Sequence, residues 1–245
     1  MPQPDHISAL GVPDPATLDD DLKIIWDKCI EKLGFVPNVL STYSLKPRRL
    51  RNFMAMYNDI MLAPSGLSKL EREMVAVVVS SANRCYYCLV AHGAAVRQLS
   101  GDPELGEMMA LNYRVAKLDA RQRAMLDYTW KMTTTPYLIG DADRDGLRAV
   151  GLSTEDIFDL SETVAFFNLS NRMASATDMM PNKEYHPSFR AADPVPAEAK
   201  PAAAKPVATK PVAKAKAAKP KAAPAKAKAA KPAAAKAKPA RAKRG

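Results

Sequence analysis

After Glu198 the chain carries fifteen Lys and Arg residues and no Asp or Glu, so only the part before that point can bury a core. The last stretch, residues 191–245, is Ala, Lys and Pro, with no aromatic residue after Phe189. Ala and Lys favour helix, but Pro201, Pro206, Pro211, Pro220, Pro224, Pro232 and Pro239 interrupt it every few residues. Such a segment lacks the apolar surface to offset the entropy of ordering, and disorder is expected for it. The first 198 residues hold 21 basic and 26 acidic residues, so the net charge of +10 describes a mildly acidic body joined to a polycationic tail.

The body is long enough for one sizeable core. Residues 1–14 show no basic start followed by an apolar run, so no secretory signal is expected. The longest apolar run, Met74 to Val79, is far too short to span a bilayer. A cytoplasmic setting follows as the expectation. Thiols stay reduced there, and three cysteines make no disulfide framework. A cysteine pair in that setting points to redox chemistry or metal binding.

Helical periodicity runs through the body. Leu22, Ile25, Trp26, Cys29, Ile30 and Leu33 recur at helical spacing over 17–33, and Gly34 ends the run. Residues 35–38 read as a link. A second helix follows Pro47 and carries Leu50, Phe53, Met54, Tyr57, Ile60 and Met61. Ser68 with Glu71 forms a capping-box pattern that predicts a helix to about Ala82. Asn83-Arg84 interrupts, and the next helix runs from about Cys85 to Leu99, stopped by Ser100-Gly101. Further helices are predicted over 118–134, 141–149 and 153–176. Val75 to Val79 is β-branched but lies inside the capped segment, so it reads as a buried helix face. The expectation is an all-α helical domain over 1–190, with its motif core at 68–100, followed by a disordered basic tail over 191–245.

The sharp feature is Cys85-Tyr86-Tyr87-Cys88-Leu89-Val90-Ala91-His92. At about 100° per residue, Cys85 and His92 point within about 20° of each other and Cys88 lies about 60° to one side. A thiol in the first helical turn meets free backbone N–H groups and the positive end of the helix dipole, which favour the thiolate. That argument singles out Cys85 as the more acidic thiol. His92 follows Cys88 by one turn and can accept its proton, and Glu73 on the preceding helix can orient the histidine. A thiolate, a base, a carboxylate behind the base and a second thiol are the parts peroxide reduction needs.

Glu73, eleven residues, then Cys85-x-x-Cys88-x-x-x-His92 resembles the pattern of the alkyl hydroperoxidase D and carboxymuconolactone decarboxylase superfamily, in its peroxidase-related branch. Leu67-Ser68, Glu71-Arg72, Val79-Ser80, Asn83, Phe167-Asn168 and Asn171-Arg172 extend the likeness over most of residues 15–190. The resemblance implies an all-α protomer that assembles into trimers or hexamers. It implies an antioxidant thiol peroxidase that uses no bound cofactor, consumes a hydroperoxide and is recycled by an external dithiol. By the same likeness Cys88 is the peroxidatic thiol, Cys85 the resolving one, and Glu73 with His92 the proton relay. One departure stands out: better-known members carry a second histidine where this chain has Tyr87. A phenol with a pKa near 10 is a poorer base at neutral pH.

Other readings compete. Structural zinc usually takes four protein ligands. Beyond the motif the chain offers only Cys29, His6 and His186 as further Cys or His. Cys29 reads as a core residue, and His6 and His186 receive no role. Glu71 reads as a cap. Of Tyr86 and Tyr87, one reads as packing and the other stays open. No Gly-rich phosphate loop appears, so no nucleotide cofactor is expected. A dithiol–disulfide exchange protein, a non-redox decarboxylase-like enzyme and a nucleic-acid-binding protein with a vestigial enzyme body are the alternatives. The tail is similar to those of linker histones and histone-like bacterial proteins. Its charge predicts nonspecific, salt-sensitive binding of nucleic acid, and with it a nucleoid association. No membrane role is expected.

Overall fold

A computed structural model describes residues 3–191, and the expectations for residues 192–245 lie outside the described residues. Among the described residues the regular structure is helical and no strand occurs. Nine α-helices follow in order: α1 (Asp20–Leu33), α2 (Asn38–Tyr43), α3 (Pro47–Leu62), α4 (Lys69–Ala82), α5 (Tyr86–Ser100), α6 (Pro103–Asn112), α7 (Ala120–Thr134), α8 (Asp141–Ala149) and α9 (Thr154–Ala176). None of them is long and apolar enough to cross a membrane.

Helix α4 is the axis of the fold. Ser68 caps it as expected: its hydroxyl accepts from the Glu71 N–H, and the Glu71 carboxylate accepts from the Ser68 N–H. Every residue from Arg72 to Ser80 is buried. The Met74–Val79 run is therefore enclosed on all sides rather than on one face, because α5, α6, α7 and α9 surround it. Arg72 reaches out of this interior to donate to the Ile60 and Ala63 carbonyls at the end of α3. Glu71 has a second use, an ion pair of 2.9 Å with Arg121 on α7.

The outer elements depart from expectation in three places. Helix α1 begins at Asp20, not Thr17, with Asp19 at its N-cap and Asp20 and Asp21 in its first turn. Its stripe is only half used: Leu22 and Trp26 are buried, whereas Ile30 and Leu33 are more than half exposed. Cys29, expected in the core, is only half-buried. The link after Phe35 contains a short helix, α2. Helix α6 escaped the periodicity reading, although Asp102 and Pro103 form a standard start: the Asp102 carboxylate accepts from the Glu104 and Leu105 N–H groups. Helix α6 crosses α5 closely at Gly106. A Cβ there would lie 2.8 Å from the Arg97 side chain and 3.0 Å from the Gly93 carbonyl.

Candidate active site

The turn between α4 and α5 sets the site. Asn83 ends α4, and Arg84 takes a left-handed backbone, φ 54°, that turns the chain by one residue. Asn83 is held from α9, donating to Asn168 Oδ1 at 3.1 Å and Asn171 Oδ1 at 3.0 Å. Cys85 then lies at the N-cap of α5 in extended conformation, outside the first turn where the helical spacing had placed it. An N-cap side chain folds back over the first turn. Its sulfur accordingly comes within 2.9 Å of Cys88 Sγ, with one thiol proton between the two. Both cysteines are buried, and Tyr87, Ala174 and Met179 pack around them.

The environment splits the two thiols. The hydrogen bond with Cys88 holds the Cys85 thiol below the usual cysteine range despite burial, and the Cys88 backbone N–H and nearby His92 act in the same direction. That shared hydrogen bond, burial and the charge on Cys85 push Cys88 well up. Of the two thiols Cys85 is therefore the more acidic, the direction the helix-end argument expects. Asn171 and Ser170 of α9 lie near Cys88 and work the other way, favouring its charged form. Asn171 is itself fixed, donating to Ser80 Oγ at 3.0 Å while accepting from Asn83.

His92 and Glu73 meet as the sequence proposed. His92 Nδ1 lies 2.7 Å from Glu73 Oε2, and both side chains are largely buried. The imidazole meets the Phe167 ring edge-on at 4.7 Å, which fixes its plane. The Glu73 bond leaves the far ring nitrogen, Nε2, for the reaction.

A cavity of about 540 Å³ opens beside this pair. Glu73, His92, Tyr87 and Ser170 form its inner end, and aromatic side chains from α3, α9 and the C-terminal segment form its walls. The two sulfurs do not line it. Ser170, which lines it, belongs to the helix that packs against the pair. Tyr57 and Tyr185 border the cavity, and burial pushes both phenols upward, with Glu73 adding to it at both and Cys29 at Tyr185. Tyr87 is sealed: its hydroxyl accepts from the Val39 N–H at 3.2 Å, and burial raises it well above the ordinary tyrosine range. It therefore stays neutral and serves as wall and anchor. Tyr86 is exposed beside His186 and Gln3.

His6 sits 2.9 Å from the Asp178 carboxylate, and His186 sits 3.0 Å from Gln3 Oε1. Among the described residues no three His, Cys, Asp or Glu side chains converge on a common metal position. Sequence reasoning gave no role to Ser170, Asn171, Tyr57, Tyr185 or the cavity. The available signal was polarity inside an apolar helix: Ser170 and Asn171 follow Phe166 and Phe167, and buried polar groups there need partners.

With this geometry in place, comparison with known proteins gives a consistent answer. Residues 47–105, which contain the turn, both cysteines, Glu73 and His92, match the carboxymuconolactone decarboxylase family. No curated protein matches. Among solved structures, a peroxidase-related protein from Silicibacter sp. TM1040 is 58% identical. The match covers 78% of this chain and 100% of that one, with a TM-score of 0.74. A second, from Ralstonia eutropha JMP134 and described as an alkylhydroperoxidase AhpD core, is 41% identical over 78% of this chain and 99% of that one, TM-score 0.74. A protein from Agrobacterium tumefaciens, described as a putative antioxidant defence protein AhpD, is 21% identical. It covers 56% of this chain and 92% of its own, TM-score 0.51, a likeness of fold alone.

Proposed function

We propose that this chain, which belongs to the carboxymuconolactone decarboxylase family and within it to the AhpD-like, peroxidase-related proteins, is a thiol peroxidase that cycles through a Cys85–Cys88 disulfide. The observation that carries the reading is the contact of two buried sulfurs, 2.9 Å apart, beside a histidine held at 2.7 Å by a carboxylate. A structural cysteine pair requires no such neighbour.

In the cycle the pair passes one proton to His92, oriented by Glu73, and keeps the other between the two sulfurs. Shifting the shared proton from Cys88 to Cys85 puts the charge on Cys88, and nearby Asn171 and Ser170 favour that charge. The Cys88 thiolate attacks the distal peroxide oxygen. The O–O bond breaks, the alkoxide leaves with the proton from His92, and Cys88 becomes a sulfenic acid. The Cys85 sulfur then attacks Cys88, the S–O bond breaks, and hydroxide leaves with the Cys85 proton as water. Two thiols have been oxidised to a disulfide and one hydroperoxide reduced to an alcohol and water. An external dithiol restores the pair by exchange. This chemistry suits a reducing cytoplasm, and assembly into a trimer or hexamer is part of the reading.

The test is a free-thiol count on the full chain before and after a limiting dose of cumene hydroperoxide, repeated with Cys85→Ser and Cys88→Ser. Rapid loss of two thiols in the parent, with a sulfenic acid trapped only in Cys85→Ser, is the expected result. Unchanged thiols sink the reading. One observation favours a rival: Glu73 and His92 line the cavity and the sulfurs do not. A non-redox, acid–base enzyme related to the decarboxylases predicts turnover that survives both serine variants.

The tail extends the proposal. Its fifteen positive charges bind nucleic acid without sequence preference, and a trimer or hexamer multiplies the contact. Gel-shift affinity for arbitrary duplexes is expected to fall steeply with salt and to vanish when residues 199–245 are removed.

A further inference from the structure

The cavity is larger and more apolar than hydrogen peroxide requires. Its volume of about 540 Å³ falls among clefts that enclose ligands of drug size. Phe53, Tyr57, Phe166 and Tyr185 give its walls an aromatic lining, and the tyrosines among them stay neutral because burial raises them. The inner end is the Glu73–His92 pair. The outer end is different. Lys32, in the last turn of α1, lines the mouth together with the exposed Leu33 and Gln98. Among the described residues of the lining, Lys32 is the single cation and Glu73 the single acid, and Glu73 is already engaged by His92. The cavity thus has a reactive inner end, an apolar middle and a positive rim.

We propose that it binds an amphipathic organic hydroperoxide of the fatty-acid kind, with the apolar body along the aromatic walls, the peroxide group toward His92 and the carboxylate toward Lys32. The inference rests on the peroxidase reading for its reaction but not for its binding. Apolar area removed from water favours the long chain over hydrogen peroxide, which has none to bury. The rim charge then selects an acid over a neutral hydroperoxide of equal length. The oxidation step is the one written above, with the hydroxy acid and water as products.

Two measurements on the full chain test it. The first is turnover of hydrogen peroxide, cumene hydroperoxide and linoleic acid hydroperoxide in the parent and in Lys32→Glu. Efficiency is expected to rise at least about tenfold at each step along that series. Lys32→Glu is expected to raise KM for the acid about tenfold more than it raises KM for cumene hydroperoxide. The second is calorimetric binding of oleate, which cannot be reduced at an O–O bond, to the parent, Lys32→Glu and Ala95→Phe, whose ring fills the cavity. The tail also attracts oleate, so the difference between variants is the readout. Weaker binding in both variants supports the proposal. Equal binding in all three overturns it, whatever the peroxide assays give. Hydrogen peroxide used as well as the acid also overturns it and leaves the thiol peroxidase standing. Cavity-dependent oleate binding without any peroxide turnover upholds the ligand class and sinks the peroxidase.

Discussion

Helices α1 and α4 have the same length, fourteen residues, and opposite surroundings. Helix α4 is enclosed from Arg72 to Ser80 and carries Glu73 at a fixed place in the interior. Helix α1 buries only Leu22 and Trp26, in a small cluster with Leu18 and Leu50, and leaves Ile24, Ile30 and Leu33 exposed. Glu73 stands on the enclosed helix, whereas Lys32 and Leu33 of the cavity lining stand on the exposed one. The proposed site thereby sets its proton-transfer pair on an enclosed helix and its charged rim on a solvated one.

Substitutions can break or sharpen that contrast. Val77→Asp places an uncompensated carboxylate in a fully buried position and is expected to abolish cooperative thermal unfolding, read by far-UV circular dichroism. Glu73→Gln keeps the shape of α4 but removes the charge behind His92. Peroxide-driven thiol loss should fall about a hundredfold with the melting curve little changed. The thiols give a pH test. Cys85 is held below the usual cysteine range, so its alkylation by iodoacetamide should rise at lower pH than for a free cysteine. Cys88→Ala removes the hydrogen-bond partner and leaves the burial, so the rise should move to higher pH; an unmoved profile would refute the shared-proton geometry. Ser68→Ala deletes the cap of α4 and should cost about 1 kcal/mol by urea denaturation. Ile30→Asp on the exposed flank of α1 should stay within about 0.5 kcal/mol of the parent.

The same contrast explains what the sequence made legible. Helix α4 announced itself through a capping box followed by an apolar run, and Glu73 and His92 met because local helix geometry fixes most of their separation. Helix α1 misled because periodicity reports a face that can be buried, not a face that is. Cys85 was read one position too far into α5, since the left-handed turn at Arg84 has no glycine to mark it. The cavity was invisible for a different reason. Its lining comes from α1, α2, α3, α4, α5, α9 and the C-terminal segment, and no local pattern encodes how seven segments converge. Asn171 belongs to that same class: its partners, Ser80 on α4 and Asn83 at the end of that helix, lie 91 and 88 positions away.

The guanidinium of Arg97 fixes where the chain can be divided. It is buried on α5 and donates to the Ser188 and Tyr185 carbonyls, and both of those residues border the cavity. Arg190 adds an ion pair with Glu107 on α6. Any truncation meant to free the folded body of its polycation must therefore fall beyond Arg190. A cut placed before Tyr185 would strip three wall residues, Tyr185, Ser188 and Phe189, and leave a buried cation without those acceptors, and the resulting loss of activity would be misread as a catalytic contribution of the tail.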